Sequence, residues 1–585
     1  MRESGILFPI FSVPSRYGIG SFSREAYEFV DFLERSGQGF WQILPVGPTG
    51  FGDSPYQSVS AFAGNPYFIS LDTLIEDGLI TQEEVDACNF GSDETRVDYG
   101  AIYESRREIL KKAYERFSEK LAASKKDPTI TAGSPVPKGI QFPSESACAT
   151  ANNNEESQIS ASGDSASQES ESANGQATET QAAGKVETTK SDDNASNDKT
   201  GNTTKVKSLA DEYEAFLKME SYWLEDYALF MALKEQAGGI SWLEWDDDVR
   251  KRDKKAIDKA KKDLADEMGL YYFEQFEFDR QWRALRSYAN SKNVKIIGDI
   301  PFYVAQDSSD AWSHPEVFLM DKDLKPTVVA GCPPDAFSPT GQLWGNPIYD
   351  WAAEKKNGYD WWLHRMYRTY AFYDVIRIDH FHGFCDYYAI PFGDETAENG
   401  KLKKGPGIDF FNVMKEKVEN LRIIAEDLGN NTPENEQLLK DTGFPGMKVL
   451  QYGFTSWDSY YVNHRHINNC VVYTGTHDNT PTRAWAEEIN EGERDFTRRY
   501  INSMNTDFGG LTWDLIREAY RSVADLCIIP LQDYLCFGRE ARINTPGAPD
   551  GNWQWRLKPN FLSHELEKSI RGLAEVYSRI PKVAD

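Results

Sequence analysis

What the chain lacks narrows it first. Its 585 residues include seven cysteines, odd in number and scattered, with no Cys-x-x-Cys pair. That pattern argues against a disulfide framework or a cysteine zinc site and reads as free thiols in a reducing compartment. No run of ~18 apolar residues occurs, so no membrane span and no membrane partner are expected. The N-terminus carries one short apolar stretch broken by Pro9, which is not a signal peptide, and the cytoplasm is the expected location. Basic charge is in deficit: 64 Lys and Arg stand against 92 Asp and Glu, a net charge of −28. A nucleic-acid partner needs a basic footprint and is not expected. Also missing are Gly-x-Ser-x-Gly, a P-loop, Gly-x-Gly-x-x-Gly and His-Glu-x-x-His.

Aromatic residues, in contrast, are plentiful, with 15 Trp, 29 Tyr and 32 Phe. They fit a large core, and they also fit a site whose ring faces stack on sugars. Strand-like runs occur at 4–13, 40–46, 294–305, 374–381, 422–428, 447–454, 471–479 and 526–538, with helical spacing between most of them. Eight such units predict an α/β fold, a (β/α)8 TIM barrel with inserted, largely helical subdomains. A doubly wound open sheet is the alternative. The expected organisation is one catalytic domain over 1–585. A mainly helical insertion at 67–290 follows the second strand, and a second insertion at 306–370 follows the third. Within the first, 122–207 is a Ser/Ala/Asn/Thr/Glu-rich stretch in which Phe142 is the only aromatic. It cannot bury enough apolar surface to offset ordering, so disorder is expected there. The Lys-rich run 251–263 reads as a solvated helix face.

The strand tips carry the chemistry. The third strand offers Asp299, and the fourth offers Arg377, Asp379 and His380. Glu426 and Asp427 end the fifth, and His477, Asp478 and Asn479 end the seventh. An ordinary ion pair closing a strand would look the same at any one tip. Converging on one barrel face, however, so much charge is costly without a purpose. Two carboxylates flanking a bond serve glycosidic chemistry as nucleophile and acid/base, and a third can stabilise a cationic transition state. The rival is a metal site, since His380–His382 and His464–His466 are both His-x-His pairs. His382 falls beyond the expected strand and 464–466 lies in a polar loop, so no metal is expected.

Three of these segments, RIDHFHGF, IIAEDLG and YTGTHDN, resemble those of the 4-α-glucanotransferases (amylomaltases, or disproportionating enzymes) of glycoside hydrolase family 77. Further segments match in the same order: SRYGIGSF, FWQILPVGPTGFGDSPYQSVSAFAGNP, GDIPFYVAQDSSDAW, GCPPDAFSPTGQLWGNPIYDW, GFPGMKVLQYGF and RINTPGAPDGNWQWRL. The resemblance spans nearly the whole chain outside 122–207. It implies a barrel without a C-terminal β-sandwich, no cofactor, and α-1,4-glucan oligosaccharides and polysaccharides (maltodextrin, starch, glycogen) as partners. It implies Asp379 as nucleophile, Glu426 as acid/base and Asp478 as transition-state stabiliser, with Arg377 keeping Asp379 ionised. It places Tyr56 at the cleavage site, Asp335, Trp344 and Asn346 in an acceptor-side loop at 330–347, and Tyr452 at the donor end. Ser54, Asp299, His380, His477 and Asn479 complete the implied substrate-binding set. Two positions depart from the family. His382 stands where arginine is usual, and Ala336 where an aromatic often follows the aspartate. The expected activity is retaining glucan transfer. A hydrolase of the same clan and an inactive glucan-binding scaffold are the alternatives.

Overall fold

A computed structural model describes residues 2–142, 207–334, 338–429, 432–548 and 550–581. Twelve strands occur among them: β1 (Glu3–Leu7), β2 (Phe40–Gln42), β3 (Lys295–Ile300), β4 (Val328–Cys332), β5 (Gln342–Pro347), β6 (Val375–Ile378), β7 (Asp386–Pro391), β8 (Lys401–Lys404), β9 (Ile423–Ala425), β10 (Gly446–Val449), β11 (Cys470–Tyr473) and β12 (Leu526–Pro530). Eight of them close a parallel barrel in the order β1-β12-β11-β10-β9-β6-β3-β2. These are the eight strands expected from the sequence, which makes the fold a (β/α)8 barrel.

Their near-continuous apolar character follows from burial on both faces. Successive side chains point to opposite faces. Leu7, Phe40, Ile297, Ile424, Met447, Val449, Val471, Tyr473 and Ile528 therefore pack together inside the barrel. Their immediate neighbours, such as Ile6, Trp41, Ile296, Ile423, Val472 and Ile529, belong to the outer core against the helices. The same alternation governs the polar tips. Asp299 lies two residues beyond Ile297, and Glu426 two beyond Ile424. Arg377 contacts the interior Met447 sulfur at 3.3 Å, and Asp379 lies two residues further on. The site thus sits on top of the apolar plug, at the C-terminal ends of the strands.

The segment between β2 and β3 is mainly helical, with helices at Leu71–Glu76, Tyr99–Ser124, Leu209–Met219, Ser221–Gln236 and Ala265–Ser291 among others. In the Lys-rich helix Lys254–Asp263 only Ile257 is buried, the solvated face expected. The stretch expected to lose order from residue 122 is described as far as Phe142. Ala132 is buried, the Lys138 N–H bonds Glu76, and the Phe142 ring meets Tyr288 edge-on. The remainder of that expectation, 143–206, lies outside the described residues. A second sheet, antiparallel and ordered β5-β4-β7-β8, lies outside the barrel. Among the described residues no helix is long and apolar enough to cross a membrane.

Candidate active site

The barrel ladder itself positions the first three groups. β9, β6 and β3 are neighbours. The Asp379 N–H bonds Ile300 O at 3.0 Å, and the Glu426 N–H bonds Ile378 O at 3.1 Å. Strand pairing therefore continues onto the polar residues and fixes their height in the barrel. Arg377, buried inside, donates from Nη1 to Asp299 Oδ2 at 2.6 Å and to Asp379 Oδ1 at 3.1 Å. The Asp299 side chain is fully buried, whereas that of Asp379 is 31% exposed and faces the open end. Glu426 is gripped through both oxygens: the His380 N–H donates to Oε2 and the Leu428 N–H to Oε1, each at 2.8 Å. The first of these donors depends on His380 adopting a left-handed backbone (φ 52°), an uncommon conformation for a residue with a side chain.

Asp478 comes from beyond β11, three strands round from β6. The loop after β2 bridges the gap. The Tyr56 hydroxyl donates to Asp299 Oδ2 at 2.9 Å and lies 2.9 Å from His477 Nε2. A carboxylate only accepts. Tyr56 must therefore give its proton to Asp299 and accept from His477, so His477 carries its proton on Nε2. The two rings stack with centroids 5.3 Å apart. His477 Nε2 is also 3.4 Å from Asp478 Oδ1. Asn479 caps its own turn by accepting the Thr476 N–H, and it donates to the Tyr452 hydroxyl at 3.0 Å. Asp379, Arg377, Asp299, Tyr56, His477 and Asp478 form one continuous chain of contacts.

The electrostatics follow from this crowding. Burial raises Asp379 well above the ordinary carboxylate range. Arg377 pulls it down, and Glu426, Asp299 and Asp478 push it further up. The guanidinium was expected to keep Asp379 ionised; it acts in that direction but is outweighed by burial and three neighbouring carboxylates. Burial also raises Glu426, against Arg377 and the two backbone N–H bonds. Both carboxyl groups are thus pushed toward the protonated form, chiefly by burial. Burial lowers His380 to about 4, and it lowers His477 as well, so both imidazoles are neutral at pH 7.

The remaining expected residues separate into three groups. Trp344 stands edge-on to the His380 ring at 5.1 Å, next to the site. The Asn346 side chain is committed to the protein. Asn346 Nδ2 donates to Val304 O at 2.7 Å and its amide pairs with Gln57, while the Ser54 hydroxyl accepts the Tyr56 N–H. Asp335 and Ala336 lie outside the described residues. Of the two His-x-His pairs, His466 is bonded at both nitrogens, to Ser522 and Tyr461 O, and His464 meets the Tyr500 hydroxyl. No group of three or more metal-ligating side chains occurs among the described residues. The segment RINTPGAPDGNWQWRL, to whose residues the sequence alone gives no role, also reaches the site. Asn544 Nδ2 donates to Asp478 Oδ1 at 2.6 Å, Arg542 bonds the Asp478 carbonyl at 3.0 Å, and the Trp553 ring lies 5.6 Å from that of Tyr56.

A parallel (β/α)8 barrel with clustered carboxylates, an arginine and neutral imidazoles at the C-terminal strand ends defines a barrel enzyme of acid/base or nucleophilic chemistry. The glycoside hydrolase family 77 model, described as 4-alpha-glucanotransferase, matches residues 8–131 and 154–563. The 4-alpha-glucanotransferase of Clostridium butyricum is 41% identical over 573 residues, 97% of this chain and 99% of its own length. That of Thermus thermophilus is 38% identical over 99% of both chains. The amylomaltase of Streptococcus agalactiae, solved in complex with acarbose, superposes with a TM-score of 0.82 at 34% identity, over 99% of this chain and 100% of its own. The chain belongs to glycoside hydrolase family 77 and is an enzyme of the 4-alpha-glucanotransferase class.

Proposed function

We propose that the enzyme transfers α-1,4-glucan segments with retention, through a covalent glucosyl intermediate on Asp379. The observation that carries this reading is the division of labour at the strand tips. Asp379 is the exposed partner of a buried Arg377–Asp299 pair. Glu426 is fixed beside it by two backbone donors, and Asp478 faces the same space from the far side of Tyr56 and His477. In the first half-reaction an Asp379 oxygen bonds to the sugar C1 as the glycosidic C1–O bond breaks, and Glu426 gives its proton to the departing oxygen. In the second, the hydroxyl of an acceptor chain bonds to C1, Glu426 takes up its proton, and the Asp379 carboxylate leaves. Attack requires Glu426 protonated and Asp379 ionised, and Arg377 is the cation that favours the Asp379 charge. Asp478, held by Asn544, grips sugar hydroxyls and favours the cationic transition state.

Tyr452 belongs to the donor end, and Trp344 and Tyr56 set ring faces around these groups that suit an acceptor chain. Transfer prevails over hydrolysis when that chain is held close to C1 and water is excluded. Donors and acceptors are maltooligosaccharides and starch or glycogen chains. Cys88, Cys385, Cys470, Cys527 and Cys536 are free thiols, which fits a cytoplasmic enzyme.

Incubation with maltotriose tests the reading. Glucose together with a ladder of longer maltodextrins is the expected outcome. Maltose and glucose alone would make the enzyme a hydrolase, and no turnover would make it a glucan-binding scaffold. Asp379→Asn is expected to lower kcat at least about a thousandfold, as removal of a nucleophile does. A variant that keeps its activity would refute the nucleophile assignment.

A further inference from the structure

The other end of the barrel carries a cavity for which the reaction scheme has no use. It lies at the N-terminal ends of the strands, where Glu3 opens β1, Lys295 opens β3, and Asp374 and Arg422 stand just before β6 and β9. Its volume is about 670 Å³, within the range of roughly 300–1,000 Å³ that small-ligand sites occupy. The base of such a barrel ordinarily serves stability, and part of this cavity does so. Asp374 Oδ1 accepts Arg286 Nε at 3.1 Å and Nη2 at 2.7 Å, while Oδ2 takes the Asn290 amide at 2.9 Å and the Ile296 N–H at 2.7 Å. Arg286 Nη1 bonds the carbonyls of Tyr370 and Ala371. These groups form a floor whose charges are matched.

The walls are different. Tyr367 and Tyr370 lie three residues apart on the helix Asp360–Phe372 and so share one face of it. Both are pinned at their hydroxyls to the segment before β9. Tyr367 donates to Lys417 O at 3.0 Å, and Tyr370 donates to Arg422 O at 3.3 Å and accepts the Arg422 N–H at 2.7 Å. The Tyr367 ring is thereby held in place while the residue stays 48% exposed. The side chains of Glu3, Lys295 and Arg422 have no hydrogen-bond or ion-pair partner among the described residues, and the Lys295 ammonium meets only the Phe40 ring, at 5.7 Å. Lys417 and Glu419 add one lining charge of each sign. An ionic ligand suits this set poorly, since an anion would meet Glu3 and a cation would meet Lys295 and Arg422. A neutral polyol suits it: each hydroxyl both donates and accepts, and the sugar ring offers an apolar face to a fixed tyrosine.

We propose that this cavity is a second glucan-binding site, which takes a short stretch of an α-1,4-glucan chain with one sugar ring stacked on Tyr367 and its hydroxyls bonded to Glu3, Lys295 and Arg422. The proposal rests on the reading of α-1,4-glucans as substrate and not on the roles of the three carboxylates. The cavity and the carboxylates occupy opposite ends of one barrel, so a single maltotriose reaches one of them and not both. A starch chain is long enough to engage both. Its second contact is then intramolecular, which raises affinity for the polymer without any change at the catalytic end.

The experiment compares kcat and KM for transfer from soluble starch to maltose with those for maltotriose alone, in the wild type, Tyr367→Ala and Arg422→Ala, beside the migration of each protein through gels containing soluble starch. Both residues are exposed, and neither belongs to the catalytic end. Each variant should raise KM for starch at least about fivefold and run less retarded than the wild type, with maltotriose kinetics within twofold. An unmoved KM for starch and unmoved migration in both variants would overturn the proposal. So would an equal loss on starch and on maltotriose, which marks damage to the fold instead of a lost site. A wild type that neither turns over maltotriose nor is retarded by starch would remove the glucan reading and this inference with it. Turnover of both substrates with unmoved variants would remove this inference alone.

Discussion

Asp478 is held from outside its own strand. Its Oδ1 takes the Asn544 amide at 2.6 Å and its carbonyl takes Arg542, while the Asn544 N–H bonds His477 O at 3.1 Å. The C-terminal loop thus fixes the third carboxylate at both backbone and side chain. Asn544→Ala should free that carboxylate to rotate and lower kcat about tenfold, the cost of one lost charge-assisted hydrogen bond. The melting temperature should stay near the wild-type value, because Asp478 is 36% exposed and water can replace the amide. Steady-state kinetics beside a thermal melt checks this, and a kcat unchanged within twofold would show that Asn544 does not position Asp478. At this scale the sequence was readable where alternation along a strand could be followed. Asp299 and Glu426 sit in step with interior Ile297 and Ile424. Asn544 was not readable, because an asparagine in a Gly/Pro-rich loop some sixty residues away carries no periodic signal of its target.

Elements were legible when long and illegible when short. The eight barrel strands lie where apolar runs predicted them, but several stop early. The run 294–305 is a strand only at Lys295–Ile300, and 526–538 only at Leu526–Pro530, after which a short helix, Leu531–Tyr534, begins. Apolar character persists past those ends because the following turns are buried too. The second sheet was not foreseen. DYYAI, which lies beyond the expected run 374–381, is most of β7 and pairs with β4 and β8. β8 reads KLKK and is wholly exposed, so only its partner's backbone makes it a strand. The helices also hold a buried charge cluster. Arg368, on the helix Asp360–Phe372, bonds Asp279 at 2.9 Å and Glu220 at 3.0 Å, and its guanidinium covers the Phe372 ring at 4.3 Å. Glu220 is the residue at which 209–236 breaks into two helices. Arg368→Ala would leave the buried Asp279 and Glu220 to the half-exposed Arg283, 2.6 and 3.7 Å away, and should cost about 3 kcal/mol of stability. Urea unfolding measures this, and a loss below about 1 kcal/mol would show that the cluster does not tie these helices together.

For the whole molecule, the question is what an insertion of this length does. Its two flanks converge: the Leu209 N–H bonds Ile130 O at 2.9 Å, and the Ala210 N–H bonds Ser124 Oγ at 3.1 Å. A loop whose ends are already fixed adds closure entropy only logarithmically with length. Replacing 143–206 by a short Gly/Ser linker should therefore leave the melting temperature within about 2 °C and transfer from maltotriose unchanged. Loss of transfer with an unaltered melt would assign that segment a part in the reaction. By itself the sequence determined the eight-strand rhythm, the carboxylate at each key tip and the family those tips belong to. All of these are written in local spacing, where alternation and burial leave a direct trace. Only the tertiary structure decided that Tyr56 joins Asp299 to His477, that Asn544 holds Asp478, that burial outweighs Arg377 at Asp379, and that Glu3, Lys295 and Tyr367 share a cavity at the base of the barrel. Those are contacts between distant segments, and their energies come from desolvation and neighbouring charge, quantities that exist only once the chain has closed around them.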